Sequence, residues 1–254
     1  MASSYHSLIQ EILATRKSRT NPHGASPETV IRRITELPPE YAAEIRSIAR
    51  QLIVGLPLTG EGALNSMLEA LTMRRDSAAG DLVIDALKSR HTMQKEDYVS
   101  MLEELDRSED ASASLLAVLA DGVDDPDRID LAVTIRALHS LQHGQAAPQI
   151  LAYVDHPTRA VRGTAIEFLY QFDDGNNAGP LFIDQLTHEQ EPHIMEMLID
   201  SLTSWDQLPD EHFLREVADD STQPHSLRQS ARRALKYHSE GTSASGISDG
   251  TPPS

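Results

Sequence analysis

The chain has 254 residues, 39% apolar by type but only 4% aromatic, with one Trp and no Cys. That composition excludes disulfides, thiolate metal sites and a cysteine nucleophile, and it fits a reducing, cytoplasmic setting. The net charge of −17 sits wholly beyond residue 100, where 10 basic face 27 acidic residues, whereas residues 1–100 hold 12 of each.

The N-terminal "MASSYHSLIQEILATRKSRT" lacks the charged start and apolar run of a secretion signal, and no stretch of eighteen apolar residues occurs. Residues 3–16 predict an amphipathic first helix and 17–26 a flexible link, which together make 1–25 a separate segment. "SPETVIRRITEL" (26–37) predicts a helix with Ser26 as N-cap and Pro27 in its first turn. Helices are also expected over 38–57, ended by Gly55 and Pro57, over 62–75, and as a pair over 80–90 and 95–107. These make 26–111 a helical region of degenerate repeats.

Four copies of one unit follow. Pro126, Pro157, Pro192 and Pro224 each precede a helix with apolar or small residues at i, i+4 and i+8. The triplets are Ile129/Val133/Ala137, Val161/Ala165/Leu169, Ile194/Leu198/Leu202 and Leu227/Ala231/Leu235, whose first members lie 32, 33 and 33 positions apart. A shorter helix, A, comes before each Pro, and the anchored helix, B, comes after it. Neither buries its apolar face alone, so the units must stack. The expected fold is all-α: a right-handed α-solenoid of antiparallel helix pairs over 112–238, with a less regular helical N-terminal region. The Ser/Gly/Pro-rich tail, 239–254, is expected to be disordered.

The stretch "DHPTRAVRGTAIEFL" (155–169) resembles the HEAT-like repeats of the phycobilisome-lyase type. In those repeats an Asp and a Pro precede a Val-Arg pair, then small residues and a Leu. Val161–Arg162 and Leu227–Arg228 stand at the pair, and Asp155 and Asp220 at the Asp. The resemblance covers roughly residues 112–237. One unit departs with Ile129–Asp130 at the pair, and another has no Arg after Ile194. An Arg at the pair can bridge turn carbonyls and an Asp of the next unit, which makes Asp155, Arg162 and Arg228 structural, as are the four prolines.

Chemistry leaves few candidates. "THEQEPH" offers His188, Glu189 and His193, a single His-Glu pair, where the HEAT-like deoxyhypusine hydroxylases carry four for two irons. No phosphate loop, nucleophile elbow or HExxH helix is present, and no cofactor is implied. A DNA-binding solenoid needs a basic groove, but residues 101–220 hold 6 basic against 25 acidic residues. Trp205 is expected to cover the core between adjacent units. The function expected from these features is non-catalytic protein binding, as an adaptor, scaffold or acidic inhibitor of immunity type. A basic protein partner would meet the concave B-helix face, with no membrane involved. On that face the positions two and six beyond each anchor point outward: Gly163, Glu167, Glu196, Asp200, Gln229 and Arg233. The alternatives are a metal- or chromophore-dependent HEAT-repeat enzyme of hydroxylase or lyase type, and a DNA-binding solenoid.

Overall fold

Ser26 starts the helix at Pro27 by local chemistry: its Oγ accepts the Thr29 N–H at 3.3 Å, and Pro27 fills the first turn, where no N–H is required. The computed structural model describes residues 25–55, 61–123, 125 and 127–244, together with Ile9 and Ala14. The helices are α1 (Pro27–Thr35), α2 (Ala42–Gly55), α3 (Glu61–Met73), α4 (Ala79–Lys88), α5 (Lys95–Glu104), α6 (Ser108–Gly122) and α7 (Leu131–Ser140). They continue with α8 (Ala147–Ile150), α9 (Arg159–Phe172), α10 (Ala178–Leu186), α11 (Pro192–Ser204), α12 (Glu211–Asp219) and α13 (His225–Ala244). Every regular element among the described residues is a helix, and the fold is all-α. None of these helices is long and apolar enough to cross a membrane.

The chain forms two units, Met1–His143 and Gly144–Ser254. In the first, α2, α4 and α6 form one row and α1, α3, α5 and α7 a second, each A helix packing on the B helix that follows it. In the second unit α8, α10 and α12 pack on α9, α11 and α13 respectively, and the latter three stack side by side. The same helix-pair repeat therefore builds both, including the part expected to be degenerate. The first of the four regular repeats, α6 with α7, groups with the upstream helices because it lies against α4 and α5. The unit division thus falls one repeat later than the 111/112 boundary drawn from the sequence.

The anchors Val161, Ala165, Leu169, Ile194, Leu198, Leu202, Leu227 and Ala231 are buried. Ile129 is not: it is 56% exposed. Helix α7 begins only at Leu131, and the residue turned inward before it is Asp130, bonded within the interior. A hydrogen-bonded carboxylate takes the place that the apolar period assigned to Ile129.

A further regularity lies at the ends of B helices. Arg75, Asp106, Gln142 and Asp206 all adopt positive φ, between 52° and 57°. The next residue in each case donates its N–H back across the turn: Asp76 to Leu71, Arg107 to Leu102, His143 to Leu138 and Gln207 to Leu202. These are Schellman closures made without glycine. Gly175, at φ 86°, is different, because a Cβ there would meet the Trp205 ring at 2.8 Å. Trp205 packs against Phe182 at 5.2 Å and Tyr170 at 6.2 Å between ring centroids, as a cover between neighbouring pairs.

Helix α13 runs on to Ala244, six residues into the segment expected to be disordered. His238 Nε2 still contacts the Pro209 carbonyl at 3.0 Å, and adding turns to an anchored helix costs little. Residues 245–254, Pro126, and residues 1–24 apart from Ile9 and Ala14 lie outside the described residues. They include most of the expected first helix and link.

Candidate functional site

The outward row expected on the B helices is partly realised. Glu167 on α9 and Gln229 on α13 are exposed, while Glu196 and Asp200 on α11 are half-buried. Asp200 and Arg233 meet across α11 and α13, with Nη2 donating to Oδ1 at 3.0 Å and Oδ2 at 3.1 Å. Gly163 is close-packed: a Cβ there would touch Ile194 at 3.2 Å. The residues share a face, but the face neutralises part of its own charge instead of presenting a continuous acidic row.

Converging carboxylates appear elsewhere, in the N-terminal unit. Glu69, Asp97 and Glu104 line a depression of about 450 Å³ between α3 and α5, with Asn65, Met73 and Met101. Burial and then repulsion from Glu104, Asp97 and Glu28 hold the Glu69 carboxyl above the ordinary 4.5. Net charge by segment gave no sign of this cluster, because stacking decides which carboxylates meet.

Arg162 performs the bridging expected of it, with a different partner. Its Nη1 donates to the His156 and Pro157 carbonyls at 2.9 and 3.1 Å. Its Nε and Nη2 grip Glu189 at 2.9 and 3.0 Å, in the turn before α11. Asp155, the Asp of the motif in Arg162's own unit, is exposed. Glu189 Oε1 also accepts the N–H groups of Gln190 and Glu191, both at 3.0 Å, and Oε2 accepts Gln185 Nε2 at 2.9 Å. Desolvation raises the Glu189 pKa, but the Glu191 N–H, Gln185 and Arg162 outweigh it and hold the carboxyl below 4.5. With its oxygens so engaged and His188 and His193 exposed, "THEQEPH" is a stacking turn. No group of three or more His, Asp or Glu among the described residues is placed to hold a metal ion.

Arg228 does not repeat the pattern: its buried Nε has no hydrogen-bond partner. Arg232 reaches the Ala218 carbonyl instead, at 3.0 Å, and Asp220 closes its own turn through Thr222. Pro157 and Pro224 sit in exposed turns, and Pro192 opens α11.

The same stacking leaves a groove that the sequence did not disclose. Leu151, Ala152, Val154 and Asp155, at the end of the short α8 segment, face Leu181, Asp184 and Gln185 of α10 across about 350 Å³. Leu181 is 40% exposed there, so the walls are apolar and open. The sequence signal was faint: "APQILAYVD" and "GPLFIDQLT" show Leu181 and Ile183 off the buried stripe, which marks an apolar surface without saying what faces it.

No family model and no curated protein matches the chain. It is similar to the solved structure of the complex of CpcE and CpcF of phycocyanin lyase from Nostoc sp. PCC7120, with a TM-score of 0.37 and 17% identity. The match covers 91% of this chain and 87% of that one. The expectation of a non-enzymatic adaptor or inhibitor, meeting a basic partner on an acidic B-helix face, is corrected here. The expected row closes on itself through Asp200 and Arg233 instead of standing as a continuous acidic surface.

Proposed function

We propose that this chain is a ligand-holding helical-repeat subunit of lyase type, akin to the chromophore lyases, working beside a second protein chain in the cytoplasm. The observation that carries the proposal is the groove between the α8 segment and α10. Its volume, apolar walls and few convergent polar groups are those of a small-molecule site, and its floor residue Gln185 is held by the Glu189–Arg162 tie. The phycobilisome-lyase-like motif of residues 155–169 supports the same class, since Asp155 of that motif lines the groove.

The test is a titration of the purified chain with a free phycobilin, followed by visible absorption. A saturable spectral shift is expected, and it should be lost in Leu181→Asp, whose exposed position makes the substitution mild for stability. Absence of any shift at every soluble bilin concentration rejects the proposal.

A further inference from the structure

Beyond residue 100 the chain has 10 basic residues, and four of them, Arg228, Arg232, Arg233 and Lys236, lie on one helix, α13. Residues 221–239 hold no carboxylate. A step of 33 positions along the B helices sets Arg162, Met195 and Arg228 in register, then Ile166, Ile199 and Arg232, then Tyr170, Thr203 and Lys236. In α9 this is the side that meets the next repeat. Arg162 grips Glu189, a Cβ on the adjacent Gly163 would touch Ile194, and Ile166 is wholly buried. Ile199 is wholly buried at the same place in α11. In α13 that place is held by Arg232, which is exposed. The side on which a helix packs in the two preceding repeats is therefore cationic and open to water in this one.

Arg228 carries the sharpest sign of a partner. Its buried Nε has no hydrogen-bond partner, whereas the same atom of Arg162 donates to a carboxylate of the next repeat at 2.9 Å. Asp220 feels the Arg228 charge but accepts from Thr222 and Gln223 in its own turn. Arg232 has turned one donor to the Ala218 carbonyl, and Arg233 is taken up by Asp200. We infer that the outer face of α13 docks an acidic helix of a second protein chain, whose carboxylates meet Arg228, Arg232 and Lys236. A helix is the occupant because α9 and α11 each receive one on this side. Carboxylates are its chemistry because Arg228 stands where Arg162 takes Glu189. Positions i, i+4 and i+8 lie about 6 Å apart, the spacing of carboxylates one turn apart on an approaching helix. Duplex DNA fits less well, since a chain of net charge −17 repels a polyanion that extends beyond this face. The face shares no residue with the groove between α8 and α10, and the inference holds whether or not that groove takes a ligand.

The experiment uses the full chain and two fluorescein-tagged, Ala/Leu-based peptides of about 20 residues, long enough to form an isolated helix. One carries Glu at i, i+4 and i+8 of its polar face, and the other carries Gln there. Fluorescence anisotropy at low salt should show the Glu peptide bound about tenfold or more tightly, with the difference shrinking as salt rises. The double substitution Arg228→Gln, Arg232→Gln should remove most of that preference. Gln229→Glu, an exposed change that sets a competing anion on the face, should weaken it. Arg215→Gln, on α12 and paired with Glu211, should leave it unchanged. Equal binding of the two peptides, or equal losses from Arg215→Gln and the double substitution, overturns the inference and leaves the face as a solvated cap. Tighter binding of a DNA duplex of about 20 base pairs also overturns it, in favour of a phosphate-backbone partner.

Discussion

The two units hold successive repeats together by the same device made of different residues. In the N-terminal unit, Lys95 Nζ donates to the carbonyls of Leu87, in the last turn of α4, and Ser89, just beyond it, and pairs with Asp130 before α7 at 3.0 Å. In the C-terminal unit, Arg162 takes the carbonyls after α8 and the Glu189 carboxylate before α11. The first tie is fully interior, with Lys95 and Asp130 at 0% exposure and Arg128 closing on Asp130 at 2.8 Å. The second is nearer the surface, its Arg162 side chain 12% exposed. An ammonium has three donors and here finds three acceptors in a closed space; a guanidinium fork suits a carboxylate approached from the side. What the stacking needs is a cation between a turn and the next carboxylate, and the depth of the site selects which one. Burial pushes the Lys95 ammonium below its ordinary 10.5, and Asp130 pulls it back.

The deeper tie should be the costlier to break. Asp130→Ala leaves Lys95 and Arg128 without their anion and should lose about 3–5 kcal/mol, against about 1–3 kcal/mol for Glu189→Ala, whose stranded partners lie closer to water. Urea unfolding of the two variants measures the difference. The double variant Lys95→Met, Asp130→Leu should recover most of the loss, because a well-packed apolar pair escapes the desolvation penalty. Equal losses from Asp130→Ala and Glu189→Ala would remove the contrast between the units.

Acid should separate them further. The Glu189 carboxyl is held below 4.5 in the folded state, so its stabilisation is complete above that value and is lost as pH falls through the lower folded value. His156 acts in the same direction at higher pH. Desolvation lowers its pKa below 6.5, although the Asp155 charge opposes that shift; Nδ1 accepts the Thr158 N–H at 3.1 Å. Below 6.5 the unfolded chain binds this proton more readily than the folded one, so stability declines as pH falls. His156→Asn keeps an acceptor for Thr158 and should flatten the slope just below pH 6.5 while leaving the Glu189 loss at lower pH. Stability curves against pH for both proteins decide it; an unchanged slope refutes the role of His156.

The smallest effect is expected at the surface. Asp200 and Arg233 are 46% and 57% exposed at their side chains, and a double-mutant cycle with Asp200→Asn and Arg233→Gln should give a coupling of about 0–1 kcal/mol, falling with salt. A coupling as large as that at Glu189 would show that stacking relies on outer pairs as well as turn ties.

The helices and their period were legible because they are local. Ser26 with Pro27, Pro192 at the start of α11, and the i, i+4, i+8 stripes carry their own capping and patterning. Arg162 was legible as a bridge because its neighbours in the turn supply the carbonyls. Its true carboxylate partner was not, since Glu189 is 27 residues away and follows none of the motif letters. Lys95 was hidden for a similar reason: a lysine at a helix start reads as a solvated charge until another repeat closes over it. The four turns at Arg75, Asp106, Gln142 and Asp206 were invisible because none carries the glycine that usually marks such a helix end.

By itself the sequence determined that the chain is helical, that its helices come in Pro-punctuated pairs of steady period, and that those pairs must bury one face against their neighbours. Tertiary structure alone decided which polar residues turn inward, as Asp130 does in place of Ile129, and which charges meet, as Asp200 does Arg233. It also decided that α8 and α10 leave a groove between them. Periodicity follows from bonds within a few residues, whereas a pair or a groove exists only once two repeats, each specified separately, are brought to a few ångströms of one another.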